Sequence, residues 1–350
     1  MHFCLWQKRT GIPANGVYKN FCMMKRYLVT GGTGFIGRNV TRAMVRSGHN
    51  IRVLDNNSRG NLESLKDISG EFEFISGDIR DPEIVRRACK GQDGVVHLAA
   101  VNGTKFFYSI PEVVLDVSTR GIINIIDACL WHGVEELFFA SSSEVYQTPP
   151  KIPTPEAVPM AIPDLTNPRY SYAGGKIISE LFIVNYGRKY FKRSVIFRPH
   201  NVYGPEMGWE HVIPQFVLRM RDMAGGRQNP LRFQIQGTGR ETRSFIFIDD
   251  FVAGLKLLLK RGRHLEVYNI GTRKEVTITK VAEEVGRFFG RKIQIIPGKK
   301  YEGGTSRRVP DISKLEKFGF VPKFTFDQGL QITSAWYNEN AHKKPPALII

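Results

Sequence analysis

The sequence predicts an α/β protein with a doubly wound parallel sheet and a smaller, discontinuous α/β lobe in its C-terminal part. Three observations predict it. Short β-branched runs alternate with helix-length segments, the pattern of strand, crossover helix, strand. The first run enters Thr30-Gly-Gly-Thr-Gly-Phe-Ile-Gly37, a glycine-rich turn that opens a helix. Downstream, Tyr170-Ser-Tyr-Ala-Gly-Gly-Lys176 sets Tyr172 and Lys176 at a Tyr-x-x-x-Lys spacing.

Arg26-Tyr-Leu-Val-Thr30 reads as a buried strand, and Phe35 to Ser47 as a helix ended by Gly48. Asn50-Ile-Arg-Val-Leu54, Glu71-Phe-Glu-Phe-Ile75 and Gly94-Val-Val-His-Leu98 are the next strands. Pro111 to His132 is a long helix closed by Gly133, followed by strand Glu136-Leu-Phe-Phe-Ala140. Tyr172 to Phe191 is a helix and Ser194-Val-Ile-Phe-Arg198 a strand. Residues 149–168 form a proline-rich loop long enough to lie over an active site. Past Pro205 the alternation weakens, and Ser244-Phe-Ile-Phe-Ile248 reads as a return to the sheet. The expected division is a Rossmann domain of residues 24–204 with 240–276, and a second lobe of 205–239 with 277–350. Residues 1–23 read as a disordered extension ahead of a start at Met23-Met24.

In a doubly wound sheet, ligands bind at the carboxyl ends of the strands. Gly31, Gly34 and Gly37 allow a tight turn and close approach of backbone to a pyrophosphate, which then meets the helix N-terminus. Asp55 closes the second strand about 20 residues on, where a carboxylate accepts ribose hydroxyls and repels a ribose phosphate. That favours NAD over NADP, with Arg59 nearby as the opposing signal. Asp78, in Gly77-Asp78-Ile79, is placed to meet an adenine amino group, while Asp81 before Pro82 suits a helix N-cap. His97 lies in an apolar run and reads as a core histidine.

Residues four apart on a helix share a face. The Lys176 ammonium is therefore expected beside the Tyr172 phenol, favouring its ionised form. Bringing a phenol from about 10 to near neutrality takes about 4 kcal/mol. Ser141-Ser-Ser-Glu-Val-Tyr146 follows a strand end, so its hydroxyls point into the same cleft. Ser142 is placed to bond a reacting alcohol, and Glu144 to act as a second acid/base.

The chain has 350 residues, 42% of them hydrophobic, which is enough for a sizeable core. No apolar run is long enough to span a bilayer. Cys4, Cys22, Cys89 and Cys129 show no metal-ligand spacing, so neither a metal site nor a disulfide framework is expected, and the setting reads as cytoplasmic. The net charge of +17 fits an anionic substrate or nucleic acid. The basic residues are scattered without aromatic interleaving, which argues against specific nucleic-acid binding.

Gly31-x-x-Gly-Phe-Ile-Gly37, Gly77-Asp-Ile79, His97-Leu-Ala-Ala100, Ser141-Ser-Ser-Glu-Val-Tyr146, Tyr172-x-x-x-Lys176, Arg198-Pro-His-Asn-Val-Tyr-Gly-Pro205 and Arg243-Ser-Phe245 together resemble the extended short-chain dehydrogenase/reductases. Within them the chain is similar to the NAD-dependent nucleotide-sugar epimerases and dehydratases, over residues 25–334. The resemblance implies NAD held by Gly31, Gly34, Phe35, Ile36, Gly37, Asp55, Asp78, Ile79, Leu98, Ala99 and Ala100, together with Tyr172 and Lys176. It implies Ser142, Glu144, Tyr172 and Lys176 as catalytic residues. A nucleoside-diphosphate sugar would meet Ser143, Asn201, Val212 and Arg243, with Arg307 or Arg308 as a second diphosphate arginine. A homodimer through the two long helices is implied as well, with Ile177, Leu181 and Val184 contributing.

Departures from the family pattern leave the reaction open between epimerisation and dehydration. Ser143-Glu144 stands where dehydratases often carry Asp-Glu, and simple 4-epimerases often lack the Glu. Gln147 replaces a usual Gly. Asn102-Gly-Thr-Lys105 is an unusual polar insertion, from which Lys105 or Tyr108 could reach the sugar. The alternatives are an NADPH-dependent nucleotide-sugar reductase and a non-catalytic dinucleotide- or RNA-binding Rossmann protein.

Overall fold

The computed structural model describes residues 24–226, 229–299 and 304–344. The expected N-terminal extension lies outside them.

The first half of the chain forms β1 (Arg26–Thr30), α1 (Phe35–Val45), β2 (Asn50–Asp55), β3 (Phe72–Ser76), α2 (Pro82–Cys89), β4 (Gly94–His97), α3 (Thr104–Ser109), α4 (Pro111–His132), β5 (Glu136–Ala140) and α5 (Ser171–Tyr190). After β6 (Arg193–Pro199) come β7 (Val202–Tyr203), α6 (Val212–Ala224), β8 (Leu231–Gln234), β9 (Thr242–Arg243), β10 (Ile246–Phe247), α7 (Ile248–Arg261) and β11 (Glu266–Ile270). The remainder is β12 (Val276–Thr277), α8 (Ile278–Phe288), β13 (Ile293–Ile296), β14 (Arg307–Arg308), α9 (Ser313–Glu316) and α10 (Phe326–Glu339).

Seven strands make one parallel sheet in the order β11-β6-β5-β4-β1-β2-β3. Successive side chains in a strand point to opposite faces, and both faces here are covered. Val29, Val53, Val96, Phe138, Val195 and Phe197 belong to the core shared with α1 and α7. Leu28, Leu54, Val95, Leu137, Phe139 and Ile196 belong to the core under α2, α4 and α5. That two-sided burial is why these strands read as near-continuous apolar runs. Local chemistry fixes the ends of several helices. The Asp81 carboxylate accepts from the Glu83 and Ile84 amides and Pro82 opens α2. Gly133, at φ 65°, closes α4 in the left-handed conformation, as its position in the sequence predicts.

The chain leaves β1 in one direction, through β2 to β3, and returns to its other side with β4. The switch point between β1 and β4 opens a crevice at their carboxyl ends, where open α/β sheets bind ligands.

Two expectations are corrected. Residues 244–248 do not rejoin the main sheet: β10 pairs with β7 in a separate two-stranded ribbon. The seventh strand is instead β11, whose run is broken by polar Asn269. That residue is fully buried because its amide is used throughout: Oδ1 accepts from Tyr146, and Nδ2 donates to the Thr154 and Asp311 carbonyls. The proline-rich loop does not cover the cleft either. It is pinned at the sheet's flank by a bridge between Thr154 and Pro310, and the Arg198 guanidinium donates to the Glu156 carbonyl.

Beyond the carboxyl edge, β8 pairs in parallel with β13, and α6, α8 and α10 pack against one another. A three-stranded ribbon, β12-β9-β14, lies beside them, and its register sets Arg308 directly opposite Arg243.

Candidate active site

One cleft of about 1240 Å³ runs along the carboxyl ends of β1, β2, β4, β5 and β6. It exceeds the usual pocket for a single small ligand and leaves room for two.

At one end lies the glycine-rich turn. Gly31, at φ 70°, sits so near the loop after β4 that a Cβ would lie 2.8 Å from the Ala99 backbone. At Gly37 a Cβ would lie 1.9 Å from the Gly31 carbonyl oxygen. Both glycines are therefore required by the turn itself. Gly34 differs: a Cβ there meets the chain only at 3.4 Å, and the residue lines the cleft. Gly34 caps α1 with no side-chain acceptor, and the first turn carries no acidic residue. The helix thus offers uncapped amides to the cleft, and the Thr33 hydroxyl beside them is buried without a partner among the described residues. This arrangement fits a dinucleotide pyrophosphate. Phe35, Ile36, Gly37, Ile79, Leu98, Ala99 and Ala100 line the same stretch.

Asp55 accepts from the Thr33 amide at 2.9 Å and the Asn57 amide at 2.8 Å, which ties the turn to the end of β2. Asp55 lines the cleft. Asp78 also lines the cleft, but its carboxylate already takes the Arg80 guanidinium at 2.8 Å and the Arg80 amide at 2.9 Å. Hydrogen bonding by Arg80 holds it below the usual carboxylate range. Its expected role toward adenine must share the carboxylate with that arginine.

At the other end, β5 delivers Ser142, whose hydroxyl accepts from the Glu144 amide at 3.1 Å and bonds the Tyr172 phenol. Tyr172 lies in the first turn of α5, with Phe107 stacked on its ring at 5.0 Å. Lys176 is one turn further, its Nζ 5.7 Å from the Tyr172 ring centroid and 2.7 Å from the Ala140 carbonyl. Burial pushes the Tyr172 phenol well above its usual value, the Ser142 bond opposing and the Glu144 charge adding to the rise. Burial also lowers Lys176 to about 7, against the pull of Glu180. The ammonium is turned onto a backbone carbonyl and does not offset the desolvation of the phenol.

Glu144 is surrounded by arginines. Arg308 Nη1 donates to its Oε1 at 2.6 Å, Arg169 lies 3.9 Å from Oε2, and the Arg243 guanidinium adds to the field. Burial opposes its ionisation, but Arg308, with Arg169 and Arg243 behind it, holds the carboxyl at about 2. Arg243 is lowered to about 10 by burial and by Arg308. It remains cationic at neutral pH. Two carboxylates, Glu144 and the more weakly acting Glu241, against three guanidiniums leave surplus positive charge, and the buried Arg308 Nε has no partner among the described residues. Such a cluster is built for an anion.

Of the remaining candidates, Asn201 sits at φ 36° and donates to the Ser244 carbonyl at 3.2 Å. Asn201, Ser143, Val212 and Ile213 all line the cleft. Arg307 does not. It is exposed on the other side of β14 and paired with Glu275 at 2.7 Å, so of the two adjacent arginines Arg308 is the one that faces inward. Neither Lys105 nor Tyr108 lines the cleft; Asn102, Gly103 and Thr104 of that insertion do, with Phe107 beyond it. His97 is a buried core residue bonded to the Thr30 hydroxyl at 2.6 Å. Arg169 escapes a sequence reading, since its only mark is its place just before the tyrosine helix.

The model of the NAD dependent epimerase/dehydratase family matches residues 27–271. A UDP-N-acetyl-α-D-glucosaminuronate decarboxylase of Bacillus cytotoxicus is 30% identical, over 91% of this chain and 99% of the relative. The structure of a dTDP-glucose 4,6-dehydratase from Streptomyces venezuelae with NAD bound superposes with a TM-score of 0.81 at 29% identity, covering 91% of this chain and 98% of that one. A UDP-glucose 4-epimerase from Thermus thermophilus in complex with NAD gives 0.78 at 28% identity, covering 89% and 98%. With a parallel sheet opened at its switch point, a glycine turn beneath an uncapped helix, and Ser142, Tyr172 and Lys176 in one cleft, the chain belongs to the NAD-dependent epimerase/dehydratase family.

Proposed function

We propose that the protein isomerises or dehydrates a nucleoside-diphosphate sugar through a transient keto-sugar, with the diphosphate held by Arg243 and Arg308. The observation that carries this reading is the surplus of positive charge around Glu144, within the same cleft as Ser142 and Tyr172. NAD, when bound along Gly31 to Gly37 with its adenosine ribose at Asp55, supplies the hydride acceptor. Its positive ring would also add the charge that Tyr172 lacks from Lys176 alone.

Ionised beside the charge of the bound coenzyme, Tyr172 would take the sugar hydroxyl proton as a phenolate, and Ser142 would bond both the phenolate and the reacting oxygen. Lys176, anchored on Ala140, orients the nicotinamide ribose. Phe107 covers the outer face of Tyr172 and keeps water from it. After oxidation, proton loss at the neighbouring carbon to Glu144 leads toward loss of water. Rotation of the keto-sugar instead leads to the epimer. An anionic diphosphate competes with Glu144 for Arg308, so Glu144 gains basicity when the nucleotide arrives. The intact Ser142, Tyr172 and Lys176 disfavour a non-catalytic binding protein, and Asp55 disfavours an NADPH-dependent reductase.

Residues 205–239 with 277–350 are read as the substrate lobe, Val212 opening the pocket for the base. A homodimer through α4 and α5 is supported by their outward apolar side chains, among them Leu115, Trp131, Ile178 and Leu181. Of the helix residues expected there, Leu181 is exposed while Ile177 and Val184 are half-buried. The buried thiols of Cys89 and Cys129, which touch without a disulfide between them, fit a cytoplasmic setting. No helix among the described residues is long and apolar enough to cross a membrane.

Calorimetry with UDP and dTDP tests the anion site. Arg243→Gln and Arg308→Gln are each expected to weaken binding of the preferred diphosphate at least about tenfold, with NAD binding little changed. Unaltered diphosphate affinity in both variants would remove the basis of the reading.

A further inference from the structure

A second set of contacts crosses the cleft beside the helix that carries Phe106 and Phe107. The loop after Asp55 lines the cleft with Asn56, Ser58 and Arg59. Gly60 packs so tightly on the glycine-rich turn that a Cβ would lie 2.4 Å from the Thr33 carbonyl carbon, which fixes where Arg59 departs. The Arg59 guanidinium rests on the Phe106 ring, 4.6 Å from its centroid, and forms an ion pair with Glu210. Glu210 comes from the far side, on the segment between β7 and α6. Its carboxylate is wedged against Gly208, where a Cβ would lie 2.8 Å from Oε1, and its carbonyl accepts from the Gln215 side-chain Nε2. Neighbouring Trp209 packs edge-on against Tyr337 of α10 at 4.9 Å. A companion pair ties the same segment to α1: Arg38 Nη1 donates to the Glu206 carboxylate at 2.6 Å and Nη2 to its carbonyl at 3.0 Å.

An arginine just past the acidic residue that closes the second strand is the usual host for a ribose 2′-phosphate. Here that arginine already has a counter-ion. We propose that Glu210, from outside the dinucleotide-binding strands, is a residue that sets coenzyme choice. Paired with Glu210 and seated on Phe106, Arg59 is withheld from a 2′-phosphate, so Asp55 alone reads the ribose. Without the Glu210 charge, Arg59 gains the freedom to form a charge-assisted bond to a phosphate. The inference rests on the placement of the adenosine ribose at Asp55.

The test is equilibrium binding of 5′-ADP and 2′,5′-ADP to the purified full chain by calorimetry. The ratio of the two affinities on one variant cancels any partial loss of active protein. Wild type is expected to favour 5′-ADP. Glu210→Gln is expected to shift the ratio toward 2′,5′-ADP by about tenfold or more, and Glu210→Ala to do the same. Adding Arg59→Ala to either is expected to abolish the shift. An unchanged ratio in both Glu210 variants, or a shift that survives Arg59→Ala, overturns the inference. Asp55→Asn tells how far the failure reaches. If that variant moves the ratio while the Glu210 variants do not, only the role of Glu210 falls; if none moves it, the ribose placement falls as well.

Discussion

Tyr172 illustrates how far a single side chain depends on its surroundings. Its phenol is buried, bonded to Ser142, and raised by burial and by the Glu144 charge. Tyr172→Phe removes the proton acceptor with little change of volume. Turnover is expected to fall at least about a hundredfold, with NAD affinity nearly unchanged in a fluorescence titration. Equal turnover would place the base elsewhere. Two buried histidines make a separate prediction about acid. Burial holds both His97 and His200 at about 3, whereas an unfolded histidine titrates near 6.5. A folded value depressed below the unfolded one gives stability that is present above about pH 6.5 and lost as pH falls toward 3. Together they are expected to cost about 4 kcal/mol between pH 7 and pH 5. Glu144, at about 2 against an unfolded value near 4.3, adds its loss only below that range. Urea midpoints measured from pH 7.5 to 4.5 check this; a midpoint flat down to pH 4.5 contradicts it.

The turn from β1 into α1 separates two kinds of glycine within one motif. Gly37→Ala would drive a methyl into the Gly31 carbonyl, so the fold should lose stability, visible as a lower urea midpoint. Gly34→Ala meets only ordinary contact from the chain and should keep the midpoint, but its methyl enters the cleft and should weaken NAD. The reverse pattern would mean the pyrophosphate lies elsewhere. Elements of this kind were legible in the sequence because their signals are local: alternation in the strands, Pro82 and Asp81 at a helix start, Gly133 at a helix end. β11 was not legible, because buried Asn269 breaks its apolar run and is satisfied by residues far away in sequence. The pairing of Glu144 with Arg308 was equally hidden. It depends on the register of β14 against β9, a two-residue ribbon with no periodicity to read. The choice between Arg307 and Arg308 follows from that register as well, since adjacent strand residues face opposite ways.

At the scale of the molecule, α4 and α5 pack together on one face of the sheet and leave Leu115, Trp131, Ile178 and Leu181 in solvent. Light scattering at micromolar concentration is expected to give a dimer. Leu181→Glu combined with Ile178→Glu is expected to give a folded monomer; a wild-type monomer contradicts the assembly. The central claim concerns the cleft as a whole: a sugar is oxidised for a moment and the hydride returns, so the coenzyme is unchanged at the end. The direct measurement is mass spectrometry of UDP-, dTDP-, GDP- and CDP-sugars incubated with the enzyme and NAD, with absorbance at the reduced-nicotinamide band followed in parallel. The account predicts that at least one sugar is converted, either to an isomer of unchanged mass and altered retention or to a product lighter by one water. It also predicts no stoichiometric build-up of reduced coenzyme and loss of the conversion in Tyr172→Phe. Reduced coenzyme accumulating in step with product, or conversion that persists in Tyr172→Phe, would contradict it.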